Sequence, residues 1–130
     1  VTRTGLALSD GAKRPHEVMA LVGFSGPVKG ATGLYFPHDT GLGIAGRLLG
    51  IELTQLDETA FDAIGGMANI VAGFAKSRIS EQMGYTLELS LPVVLHGENF
   101  DVYAPSQAIC LDVPMQCALG RFGLRLSFQT

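Results

Sequence analysis

Residues 57–84, DETAFDAIGGMANIVAGFAKSRISEQMG, hold the one long helical pattern in this chain, and the rest must fold around it. Apolar residues recur at Phe61, Ile64, Ala68, Val71, Ala75 and Ile79, three and four apart, which places them on one helix face. Asp57 is suited to cap the start, since its carboxylate accepts the free N–H groups of the first turn, and Glu58 suits the positive end of the helix. Gly84 is placed to end it in a left-handed turn. Helical throughout, the stretch spans roughly 40 Å, which is long for a small domain.

A second stripe lies on the same helix. Asp62, Gly66, Asn69, Gly73 and Lys76 are spaced four, three, four and three, so they share a face turned away from the apolar one. Gly65, Gly66 and Gly73 each cost about 1 kcal/mol relative to Ala inside a helix. A helix that carries this cost has another backbone or a partner surface close against it. The pattern gives one apolar face for a core and one nearly bare face with Asn69 at its centre. On spacing alone, Asn69 also reads as an ordinary polar residue on a solvent face.

The chain is 130 residues long, enough for one domain with its own core. A hydrophobic fraction of 47% against 16% charged residues marks a globular chain rather than a disordered one. The net charge of −3 argues against nucleic acid or an anionic membrane as partner. No apolar run approaches the eighteen or so residues of a transmembrane span. There is no secretory signal, and no initial Met, so residues upstream of Val1 are expected to be missing. Cys110 and Cys117 lack a CxxC spacing and fall in strand-like sequence, which favours two buried reduced thiols over a disulfide or metal pair. His16, His38 and His96 stand apart from each other and from any Glu at ligand spacing, so no metal site is expected.

Along the chain, a short strand is possible at 5–8, and 17–24 (EVMALVGF) reads as a mostly buried strand. Ser25-Gly26-Pro27 turns it back into 28–36, where Val28, Gly30, Thr32, Leu34 and Phe36 share one side of a hairpin. After a loop at 37–40, Thr40 is placed to cap a short helix through Leu49 that Gly50 ends. Beyond the long helix, strands are expected at 85–95, 100–103, 107–113 and 117–128, with turns at 97–99, 105–106 and 114–115. In the last strand Phe122, Leu124, Leu126 and Phe128 alternate with Gly123, Arg125 and Ser127, the pattern of a half-buried antiparallel strand. The expected fold is α+β, an antiparallel sheet with two helices packed on one side.

Residues 41–46, GLGIAG, are a literal GxGxxG. A dinucleotide site needs the first glycine directly after a strand and an acid about twenty residues on, at the end of a second parallel strand. Here residues 37–40 intervene, and Asp62, at roughly that offset, lies inside the long helix. A nucleotide site is therefore not assigned. The glycines read as a first helix packed close against its neighbours.

Residues 21–36 (LVGFSGPVKGATGLYF), 44–50 (IAGRLLG) and 62–76 (DAIGGMANIVAGFAK) together resemble the CheX branch of the CheC/CheX/FliY phosphatase family. So does 109–128, ICLDVPMQCALGRFGLRLSF. The family pattern is Asp or Ser, three residues, Glu, two residues, Asn, twenty-two residues, Pro. Asp62, Asn69 and Pro92 stand at the required spacings. One position departs, with Gly66 where the family has Glu. A second difference is Phe74, where CheX proteins often have Asn.

The resemblance implies a CheC-like fold over residues 1–130, lacking the N-terminal helix that precedes the first strands in the family. It implies a cytoplasmic chemotaxis protein that removes phosphate from a phosphorylated CheY-type response regulator. In that scheme Asn69 is catalytic, orienting the attacking water, and Asp62, Gly66, Gly73 and Lys76 belong to the face that meets the partner. Pro92 is a structural part of the motif. The chain needs no cofactor of its own, since Mg²⁺ and a Lys on the regulator stabilise charge. The family Glu pairs with that Lys, which Gly66 cannot do, and Asp62 is one turn earlier with a shorter reach. CheC-type chains carry two motifs. Here the only other Asn is Asn99, with His96 three residues before it, and the first helix has Arg47 where an Asn would be needed. A single motif implies a CheX-like homodimer paired through sheet edges. The alternative implied by Gly66 is a non-catalytic member that binds a receiver domain or dimerises as a scaffold.

Overall fold

The computed structural model describes residues 2–3, 7–9, 16–100 and 108–129. In chain order the elements are β1 (Thr2–Arg3), β2 (Ala7–Ser9), β3 (His16–Ser25), β4 (Lys29–Phe36), α1 (His38–Leu49), α2 (Glu58–Met83), β5 (Glu88–Leu89), β6 (Val93–Phe100), β7 (Ile109–Cys117) and β8 (Gly120–Gln129). All strand pairs are antiparallel. The sheet order is β1-β7-β8-β4-β3-β5, with β2 also on β7 and β6 also on β3. The α+β expectation, with two helices on one side of an antiparallel sheet, is met.

The core lies between α1, α2 and the central strands. Val18, Ala20 and Val22 of β3 and Leu34 and Phe36 of β4 meet Ala45 of α1 and Ala60, Ile64, Ala68 and Ala72 of α2. Alternation along β3 sends these residues to the helix side, because successive side chains point to opposite faces. The small residues of α2 let its backbone lie close to the strands, and Ile64 supplies bulk. Burying such a side chain contributes about 1.5–3 kcal/mol. The buried positions Ala60, Gly65 and Ala72 extend the sequence-read stripe, whereas Ala75 is exposed and lines an apolar cleft between the helix and the strands.

The opposite face of the sheet is partly buried. Met19 is buried, and Asp112 and Arg125, cross-strand partners on β7 and β8, form a buried ion pair with Arg125 Nε donating to Asp112 Oδ1 at 2.9 Å. The Arg125 guanidinium lies 6.0 Å from the Tyr35 ring centroid. The half-buried reading of 117–128 is therefore corrected, since Gly123 and Arg125 are buried on its second face.

Both caps of α2 form as expected. Asp57 Oδ1 accepts from the Ala60 N–H at 2.9 Å, and Gly84 takes a left-handed conformation with φ 71°. The first helix starts earlier than Thr40. Pro37 stands at its N-cap, and Thr40 is buried one turn inside, against Gly120. Gly50 ends it with φ 72°. Two expected turns are strands instead. Residues 97–99 continue β6, and Pro114 stays in β7 opposite Gly123, so the hairpin turns at 118–119. Residues 51–56 are irregular, and of the strand expected at 85–95 only Glu88–Leu89 and the start of β6 are strand. Of the short strand expected at 5–8, residues 7–8 lie in β2 and 5–6 lie outside the described residues. The strand expected at 100–103 and the turn at 105–106 lie outside the described residues beyond Phe100.

The glycines of 41–46 lie within α1 rather than at its first turn. A Cβ at Gly41 would touch Phe36 and Val18 at 3.4 and 3.6 Å, and one at Gly43 would touch Leu119 at 3.5 Å. These glycines serve close packing. Among the described residues, no helix is long and apolar enough to cross a membrane.

Candidate functional site

The site is a helix face, held in place from β3. The Gly23 N–H donates to Ser90 Oγ at 2.8 Å, and the Ser90 N–H donates to the Gly23 carbonyl at 2.8 Å. This double link fixes the chain two residues ahead of Pro92. Pro92 and Val94 in turn lie against Gly65, where an added Cβ would be 3.8 and 3.4 Å from them. Gly65 therefore lets α2 settle directly on the edge of the sheet. Asn69 follows one turn later, about 6 Å further along the axis. Phe61, one turn before Gly65, stacks tilted on His96 of β6 at 5.2 Å between ring centroids. Pro92 thus has a defined mechanical place in the motif.

At 100° per residue, Asp62, Gly66, Asn69, Gly73 and Lys76 fall within a strip about 80° wide. Asp62, Gly66 and Asn69 are exposed, and Gly73 and Lys76 are half-buried. A Cβ at Gly66 or Gly73 would meet nothing within 4 Å, so the strip has a bare floor of backbone between its side chains. Among the described residues, the close neighbour expected over the glycines exists at Gly65 only. No side-chain hydrogen bond or ion pair among the described residues holds Asp62, Asn69 or Lys76. Among the described residues, nothing engages the donor and acceptor of the Asn69 carboxamide.

Next to this strip stand Ile70 and Phe74, 62% and 71% exposed. Phe74 stands out in the sequence as an aromatic on the bare face. Ile70 does not, because an isoleucine beside a core stripe is indistinguishable from a core residue until the helix's rotation is fixed. On the other side, Leu91, adjacent to Pro92, is 85% exposed.

The strip is convex. An apolar cleft of about 130 Å³ lies further along α2, lined by Phe24, Ala72, Ile79, Leu87 and Leu126 among others, and it does not include Asn69. A carboxamide on an exposed helix cannot enclose a small substrate or exclude water from it. It can only complete a site that another molecule supplies. Asn99 lies in strand β6 and Arg47 is exposed on α1, so neither recreates the Asn69 arrangement. Cys110 is buried, Cys117 is half-buried and both are free. Among the described residues, no cluster of His, Cys, Asp and Glu is arranged to hold a metal.

A scaffold of this kind, a two-helix layer on an antiparallel sheet with an Asn presented on the long helix, has close counterparts. The family described as chemotaxis phosphatase CheX matches residues 18–116, and the chain belongs to that family. CheY-P phosphatase CheX of Thermotoga maritima is 29% identical over 102 residues, 78% of this chain and 64% of that protein. The match therefore spans less than two thirds of that relative's length. A CheC-like superfamily protein from Shewanella sp. PV-4 superposes with a TM-score of 0.90 at 25% identity, covering 99% of this chain and 84% of that one. CheX of Borrelia burgdorferi, solved in complex with CheY, BeF3 and Mg²⁺, superposes with a TM-score of 0.78 at 17% identity, over 100% of this chain and 84% of that one.

Proposed function

We propose that this chain hydrolyses the aspartyl phosphate of a phosphorylated CheY-type receiver domain, with the Asn69 face of α2 docked over the regulator's active site. The observation that carries the reading is the exposed Asn69 side chain, unengaged by the described residues, at the middle of a rigid helix. Its carboxamide presents a donor and an acceptor in one plane, suited to holding a water in line with the phosphorus. The water attacks the phosphorus, the regulator's aspartate leaves as carboxylate, and inorganic phosphate is released. Charge stabilisation falls to the regulator's own Mg²⁺ and Lys. This chain contributes position, and the Ser90–Pro92–Gly65 contacts keep that position fixed.

Gly66 supports a second reading, in which the chain binds a receiver domain without hydrolysing its phosphate. The two readings separate in one experiment. Phosphate loss from a phosphorylated CheY-type receiver of the source organism is followed with and without the protein. Acceleration that scales with protein concentration marks the enzyme, and binding with an unchanged decay rate marks the scaffold. The same reading places the protein in the cytoplasm, where receiver domains signal, as a homodimer. The β6 edge supports the dimer, because Val93 and Leu95 there are apolar and exposed.

A further inference from the structure

Between Asp62 and Lys76, residues 63–75 carry no charge at all. Asn69 stands midway, with Asp62 and Lys76 each about 10 Å away along the helix axis. Position 66 is only about 4.5 Å from Asn69 along that axis. A carboxylate at Asp62 therefore reaches a different part of a docked partner than one at position 66. The ion pair expected beside the catalytic Asn has no local replacement.

What stands there instead is apolar. Ile70 lies 100° round the helix from Asn69 and Phe74 a further 40°, with the Gly66 and Gly73 backbone as a low floor between them and the carboxamide. Large side chains that are 62% and 71% exposed, one turn apart, form a ridge rather than scattered surface residues. The geometry points to Ile70 and Phe74 as the residues that select and hold the receiver, through an apolar patch on the rim of its phosphorylation site. This rests on the docking reading above. Continuity with the Asn69 strip argues for that occupant, since a receiver docked over the carboxamide also covers Ile70, the next residue, and Phe74, one turn further on. An uncharged rim fits the neutral stretch from 63 to 75. Phe74 inserts as the anchor and Ile70 supports it.

The test uses a CheY-type receiver domain of the source organism activated with Mg²⁺ and beryllofluoride as the phosphoryl stand-in. It is titrated with wild type, Ile70→Ala, Phe74→Ala and Phe74→Leu at low and high salt. Phe74→Ala is expected to weaken binding at least about tenfold, as loss of an aromatic anchor does, with Ile70→Ala smaller and Phe74→Leu recovering most of the loss. Wild-type affinity is expected to change little across the salt range, because the central contact holds no exposed ion pair. Both side chains are exposed, so melting curves of the variants serve as the folding control. Failure of the wild type to bind overturns the phosphatase reading and this inference with it. Wild-type binding that Phe74→Ala and Ile70→Ala leave unchanged overturns this inference alone. So does a steep loss of affinity with salt, or a change in oligomer size in the variants, which would assign the ridge to contact between copies of the chain.

Discussion

A Cβ built at Gly66 meets no atom within 4 Å, so Gly66→Glu has room and sets a carboxylate less than one turn from Asn69. Two effects follow from physics alone. The helix gains roughly 0.5 kcal/mol by losing an interior glycine, which a small rise in Tm reads. A docked receiver gains an ion pair worth at least about 1.5 kcal/mol, which tightens binding about tenfold and makes it salt-sensitive. A tighter complex with faster phosphate loss is the expected outcome, and weaker binding would mean that the glycine floor itself receives the partner. The spacing of Asp62, Asn69 and Pro92 was legible in the sequence because motif distances survive without coordinates. The exposure of Ile70 was not, since it depends on how far α2 is rotated, and that is set by the contact of Gly65 with Pro92 and Val94.

At the scale of elements, α2 was readable from end to end because its caps are local chemistry. Asp57 and Gly84 act within four residues of the backbone groups they satisfy. Strand boundaries were less readable because pairing is not local. Pro114 looks like a turn, yet it lies in β7 between the stretches paired with β1 and β2, and its described partner is Gly123 alone. A proline is tolerated in a strand where the ladder does not need its N–H. The buried pair of Asp112 and Arg125 was also hidden, since an alternating strand leaves its polar face assigned to solvent. Asp112→Ala removes the carboxylate that Arg125 donates to inside the sheet. It is expected to destabilise the fold by about 3–5 kcal/mol in chemical denaturation. A loss below about 1 kcal/mol would place the pair in the class of exposed surface bridges.

For the whole molecule, fold class was legible from the hairpin, the two helical patterns and the antiparallel strands that follow, because each element's period agrees with its place in the layers. What the sequence could not supply was strand order, which makes β6 an edge beside α2. Leu91, Val93 and Leu95 are exposed along it. If copies of the chain pair there, Val93→Lys is expected to shift sedimentation from dimer to monomer, because a charge on an edge strand opposes pairing. An unshifted dimer would place the contact elsewhere. The central claim is that Asn69 positions the attacking water, and its most direct test is single-turnover decay of a phosphorylated CheY-type receiver with saturating wild type or Asn69→Ala. Accelerated decay is expected with wild type and decay at the receiver's own rate with Asn69→Ala, while the variant's melting curve and receiver affinity stay close to wild type. Acceleration by Asn69→Ala equal to that of the wild type would contradict it.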